Sequence, residues 1–166
     1  GAVGGLDIVS FKGASGISSA LRNMPYQDLY RELINSKCYN MKLIDGGLLQ
    51  LLYRLDQTSV QSHRLCFFPS PDLEDYISAK ELYTTDCLYG DVVRENITPF
   101  PIRFDYSIDD PAYREIYHSR AHLSLGEFNH CRIPVAAPIT PISFISFIMR
   151  HFYFEDREEK INDLTF

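Results

Sequence analysis

"LLQLLYRLDQTSVQSHRLCFF", residues 48–68, reads as two extended runs about a short turn. Leu49, Leu51, Tyr53 and Leu55 alternate with Gln50, Leu52, Arg54 and Asp56, the period of two that belongs to a strand with one buried side. Gln57, Thr58 and Ser59 supply the turn, and "VQSHRLCFF" is the antiparallel partner, stopped by Pro69-Ser70-Pro71. Just upstream, "DGG" at 45–47 is either a tight turn entering the first strand or the tip of a hairpin with "YNMKLI".

The same periodicity returns further on. In "FPIRFDYS", residues 100–107, Phe100, Ile102, Phe104 and Tyr106 point one way and Pro101, Arg103, Asp105 and Ser107 the other. Pro101 has no N–H to donate, so this strand lies near an edge or begins there. "IDDPAYREIYHSR" (108–120) connects it to another strand, "AHLSLGEF" (121–128), with Leu123 and Leu125 inward. Between the two strand groups, residues 72–96 show no alternation. An Asp86 cap and the spacing of Leu88, Val92 and Val93 favour short helices in a long excursion.

Helical signals lie at both ends. "SGISSALRNMP" (15–25) spaces Ile17, Ala20, Leu21 and Met24 behind a Ser15 cap, and Pro25 ends it. Pro25 also opens "PYQDLYRELINS", where Leu29, Tyr30, Leu33 and Ile34 share a stripe. "TPISFISFIMRHFYF" (140–154) offers Thr140 as N-cap and Pro141 as first helical residue. Its Ile142, Phe144, Ile145, Phe147, Ile148 and Phe152 leave little polar face, so this helix is expected to be buried. The expected fold is α+β: an antiparallel β-meander with N-terminal helices and a buried C-terminal helix packed on one sheet face. One domain spans 1–166, with residues 1–10 a flexible N-terminus or an appended remnant and 155–166 a charged tail.

At 45% hydrophobic and 23% charged residues, the composition is that of a globular rather than a disordered chain. Eleven Tyr and eleven Phe stand against no Trp, so those rings carry much of the packing. A net charge of −6 and the lack of a dense Lys/Arg run disfavour a free nucleic-acid binder, although local arginines can still line a cleft. Cys38, Cys66, Cys87 and Cys131 lie far apart without a CxxC pair, as expected of reduced, buried thiols rather than a zinc site or disulfide scaffold. "IPVAAPITPISFISFIM" is broken by three prolines and too short beyond them for a bilayer. With no basic-then-apolar leader at the start, the expectation is a cytoplasmic protein with no membrane partner.

If the last helix covers one side of the sheet, the other side collects Arg54, His63, Arg103, Asp105, His122 and Ser124. Such a set has a definite chemistry. Histidine near neutrality acts as base or acid, aspartate orients it, and arginine stabilises an anion. Together they suit metal-independent cleavage of an RNA phosphodiester, where the 2′-hydroxyl is the nucleophile. His122, Asp105, Arg103 and His118 are the catalytic candidates; Arg54, His63 and Ser124 are the substrate-binding ones. The plainer alternative for Arg103 and Asp105 is a surface ion pair worth about 0–1 kcal/mol, and for His118 a solvated loop position. His118 and His122 are four apart, the spacing of helical zinc ligands, but "AHLSL" reads as strand. No metal or other cofactor is assigned, and no P-loop, dinucleotide fingerprint or GxSxG elbow occurs.

Several segments carry a resemblance: "YNMKLIDGGLLQLLYRLD", "HRLCFFPSPDL", "PFPIRFDYS", "HLSLG" and "CRIPVAAPITPISFISFIMRHFY". In order and wording they resemble the bacterial domain-of-unknown-function family 2290, from about Phe11 to Tyr153. That resemblance implies no particular activity. The pattern of an arginine–aspartate strand before a histidine cluster is also similar to small bacterial toxins, which implies a defence or phage-conflict setting. Two functions follow as expectations: an RNA-directed nuclease, or a non-catalytic module docking on a larger effector or another copy of itself.

Overall fold

The computed structural model describes residues 2–3, 6–11, 24–57, 59–71, 100–111, 113–114, 117–126 and 131–153. The expected helix at 15–25, apart from its last two residues, the excursion at 72–96 with Cys87, and the tail at 155–166 lie outside them. Two compact units are distinguished. The first comprises Gly1–Pro71 and Thr98–Ile139; the second takes in the C-terminal helix.

The first unit is an antiparallel sheet beside a helix, and the chain is α+β. Its elements are β1 (Ala2–Val3), β2 (Leu6–Val9), α1 (Tyr26–Asn35), β3 (Met41–Lys42), β4 (Leu48–Leu55), β5 (Val60–Phe68), β6 (Ile102–Ser107), β7 (Ala121–Leu125) and β8 (Arg132–Pro134). From β4 onward each strand pairs with the next in sequence, so the meander is realised. The outer side of β4 is shared: β3 pairs with Leu48 and Leu49, and β2 pairs with Tyr53, Arg54 and Leu55. Within the first ten residues, 2–3 and 6–9 lie in strands. β2 takes up the free edge of β4 at Tyr53, Arg54 and Leu55, and β1 pairs onto β2.

"DGG" is a hairpin tip. Gly46 N–H donates to the Leu43 carbonyl at 3.0 Å, and Gly47 N–H donates to Asp45 Oδ1 at 2.8 Å. Gly46 has φ +91°. A Cβ there would lie 2.9 Å from Tyr30 Oη and 3.1 Å from Ser70 Oγ. Tyr30 itself donates to the Gly46 carbonyl, which ties α1 to the hairpin.

The two sheet faces differ in character. Leu49, Leu51, Tyr53, Leu65, Phe67, Ile102, Phe104 and Ala121 share one face and are buried. On the opposite face α1 covers only one end: Tyr30 and Leu33 pack with Cys38, Leu48, Cys66 and Phe68. The rest of that face is where the charges lie.

In the second unit, α2 (Pro141–Phe152) begins as the sequence predicts. Thr140 Oγ1 accepts from Ser143 N–H, and Pro141 occupies the first turn. Phe144 and Ile148 are buried, whereas Ile142 is exposed.

Because an L side chain at Gly46 meets both an unfavourable φ and a close hydroxyl, Gly46→Ala is expected to lower stability by about 1–3 kcal/mol. Urea unfolding checks this; an unchanged midpoint would contradict the tight approach of α1 to the hairpin.

Candidate functional site: an arginine–aspartate–histidine row

Register decides which side chains meet. Leu55 opposes Val60, whereas Arg54 opposes Ser62, so Gln61 is an extra residue in β5. Beyond it Leu52 faces Arg64, Arg64 faces Asp105, and Asp105 faces His122. One row therefore runs Leu52–Arg64–Asp105–His122–Pro134 across five strands, and the next runs Gln50–Cys66–Arg103–Ser124–Arg132. Opposed residues share a face and so do positions two apart, so both rows lie on the charged face.

Asp105 is the centre of this arrangement. Its Oδ1 accepts from Arg64 Nε at 2.9 Å, and its Oδ2 accepts from Arg103 Nε at 2.5 Å. The carboxylate side chain is only 15% exposed, against 49% for Arg64 and 41% for Arg103. Burial alone would raise the Asp105 pKa; the two guanidiniums and their hydrogen bonds outweigh it and hold the carboxyl below its ordinary value. Both arginines engage through Nε, and their outer nitrogens make no further hydrogen bond among the described residues.

His122 is buried beside this pair. Its Nδ1 lies 2.9 Å from the Ser119 carbonyl, which can only accept, so Nδ1 carries the proton in the neutral ring. The basic nitrogen is then Nε2, 3.8 Å from Asp105 Oδ2. Burial lowers the His122 pKa, and the charges of His118 and Arg132 lower it further, against the Ser119 carbonyl and Asp105. His118 stands edge-on to His122 with ring centres 5.1 Å apart, its Nε2 2.9 Å from Asp110 Oδ2. The spacing of the two histidines is not helical: His122 is in β7, and His118 pairs with Arg114 in a short bridge.

The structure thus brings Arg103, Asp105, His122 and His118 together. Arg54 shares the face one row beyond Leu52, exposed and without an ion pair among the described residues. Ser124 opposes Arg103 and is buried, its Oγ without a hydrogen-bond partner among the described residues.

His63 is corrected: it opposes Tyr53 and Tyr106 and lies on the other, apolar face. Had the Leu55–Val60 register continued, Leu52 would oppose His63 and place it with Arg54; the extra residue reverses it. There its Nε2 accepts from Ile139 N–H at 3.0 Å, while the Tyr53 hydroxyl donates to the Ile139 carbonyl at 2.7 Å. Its Nδ1 has no hydrogen-bond partner among the described residues. Burial is the largest influence on His63 and lowers its pKa, opposed by the Phe104 and His63 carbonyls and by Asp105.

Arg64 was missed as a site residue. Its signal was its place between His63 and Leu65, since the buried Leu65 and Phe67 force Arg64 to the opposite face. Cys66 lies on the charged face as well, fully buried under α1, and burial pushes its thiol up to about 12.

Two expectations follow for pH. The unfolded chain protonates histidine near 6.5, whereas folded His63 and His122 resist it, so their share of stability is full above that value and falls as pH drops below it. NMR titration should find both imidazoles below 6.5; values above it would contradict their burial. Asp105 acts in the acid range, its contribution present above about 3.9 and lost as pH falls through its depressed folded value. Asp105→Asn should therefore cost about 1–3 kcal/mol at pH 7 in urea unfolding, and an unchanged midpoint would show the carboxylate to be idle.

Among the described residues no helix is long and apolar enough to cross a membrane. No curated protein and no solved structure matches the chain. A family model described as "Uncharacterized conserved protein (DUF2290)" matches residues 4–166, essentially the whole length, and the chain belongs to that family.

Proposed function

We propose that the charged face binds and cleaves an RNA phosphodiester without a metal ion, in the manner of a toxin or defence nuclease. One observation carries this reading: Asp105 fixes two guanidiniums by their Nε edges while the neutral Nε2 of His122 stands 3.8 Å from the same carboxylate. The parts are those that transesterification needs. His122 Nε2 takes the proton of the 2′-hydroxyl as the 2′-oxygen attacks phosphorus. The outer nitrogens of Arg64 and Arg103 hold the charge that builds on the phosphoryl oxygens. The P–O5′ bond breaks, and His118 returns a proton to the leaving 5′-oxygen, giving a 2′,3′-cyclic phosphate and a 5′-hydroxyl. Asp105 keeps the arginines in place and stabilises the imidazolium formed at His122.

A second reading has its own observation. Tyr117 is 82% exposed, Tyr113 and Ile108 are exposed in the same connection, and Ile133 is exposed on the edge strand β8. Large apolar side chains at an edge suit a non-catalytic module that docks on a larger protein or on a second copy of this chain.

Turnover of single-stranded RNA in EDTA separates the two. The wild-type protein is expected to leave cyclic phosphate ends. His122→Ala should lower the rate by about 10²–10⁴-fold, and Arg64→Gln or Arg103→Gln by about 10²-fold or more. Unchanged turnover in His122→Ala, or turnover abolished by EDTA, would contradict the first reading. No turnover together with a stoichiometric protein partner would favour the second.

A further inference from the structure

The two arginines at Asp105 are neutralised in part by that carboxylate. A third cation on the same face is not: Arg132 is exposed and makes no ion pair among the described residues. Its positive charge reaches the site nonetheless, since it acts on His122. Directly opposite Arg132 in the register is Ser124, and Arg103 opposes Ser124 from the other side. Ser124 is only 7% exposed, yet its Oγ has no hydrogen-bond partner among the described residues. A buried hydroxyl left in this way is unfavourable, and it is the kind of donor that a bound oxyanion satisfies.

We infer that Ser124, flanked across the sheet by Arg103 and Arg132, is a second phosphate subsite, taking the phosphate next to the scissile one in the same RNA strand. Its row is two residues along the strands from the row of Arg64, Asp105 and His122, or about 7 Å. Arg103 stands in one row and reaches the carboxylate of the other, so it borders both phosphates. The ligand approaches from the β8 edge, where Arg132, Ile133 and Pro134 are all exposed. The subsite rests on the RNA reading for the identity of its ligand, and its substrate class is then a strand with at least two successive phosphates rather than a mononucleotide.

The test uses the full chain with a 2′-O-methyl oligonucleotide, which binds without being cut, titrated at several salt concentrations. Each phosphate contact on a single strand contributes about 0.7 to the slope of log affinity against log salt. Arg132→Gln is expected to reduce that slope by about 0.7, and Arg31→Gln, on the exposed side of α1, to leave it unchanged. In parallel, inorganic phosphate should shift the Ser124 and Arg132 amide signals in NMR, and Arg132→Gln should abolish the shift. An unchanged slope in Arg132→Gln, with RNA still bound and cleaved, would overturn the subsite and leave the nuclease reading standing. Phosphate shifts without any oligonucleotide binding would keep the subsite for another phosphoryl ligand and remove RNA. Neither shift nor slope change would overturn both.

Discussion

Strand β5 carries one residue more than β4 pairs with, and the two sheet faces follow from where that residue sits. With Gln61 set aside, Leu65 and Phe67 join Leu49, Leu51, Ile102 and Phe104 on the buried face, and Arg64 joins Asp105 on the other. A register one step different would turn Arg64 toward Leu51 and bring Leu65 out, a loss of several kcal/mol from the apolar side chains alone. The bulge is also satisfied locally. Gln61 donates through its side chain to Asp56 and Ser59, and its carbonyl accepts from Ile108 N–H at 3.0 Å. Its place near the end of the hairpin makes it a small perturbation with a long consequence, because every later pairing in the meander inherits the offset.

That consequence is electrostatic. A carboxylate with little solvent access stays ionised when enough positive charge surrounds it, and Asp105 has a guanidinium on each oxygen. The arginines are in turn oriented, since each gives its Nε edge to the carboxylate while its side chain stays about half exposed. His122 meets the same carboxylate through Nε2 because Ser119 holds Nδ1. Asp105 is mostly buried, so removing its charge leaves two guanidiniums without their shared acceptor, whereas each half-exposed arginine taken alone contributes little to folding. Ser124 and Arg132 extend the same surface by one row along the strands.

Much of the architecture was legible because it follows from local rules. Period-two alternation located β4, β5, β6 and β7. Thr140 and Pro141 marked the start of α2, and "DGG" marked a turn that the structure shows to be a hairpin tip. Parity within one strand was equally plain, which is why Arg103 and Asp105 were placed together. Parity between strands was not. It depends on the register, and the register depends on a bulge that a turn sequence such as "QTS" does not announce; without the bulge, His63 falls on the charged face and Arg64 on the apolar one. The weak edge strands at 2–3 and 6–9 escaped for another reason: short glycine-flanked runs gain their structure from the edge they join rather than from their own pattern.

Cross-strand NOEs between backbone protons measure this register directly, because opposed residues in antiparallel strands bring their Cα atoms within about 4.5–5.5 Å. The bulged register predicts contacts pairing Tyr53 with His63, Arg64 with Asp105, and Asp105 with His122. Contacts pairing Leu52 with His63 would contradict it, since they would return that imidazole to the charged face and take Arg64 out of the row.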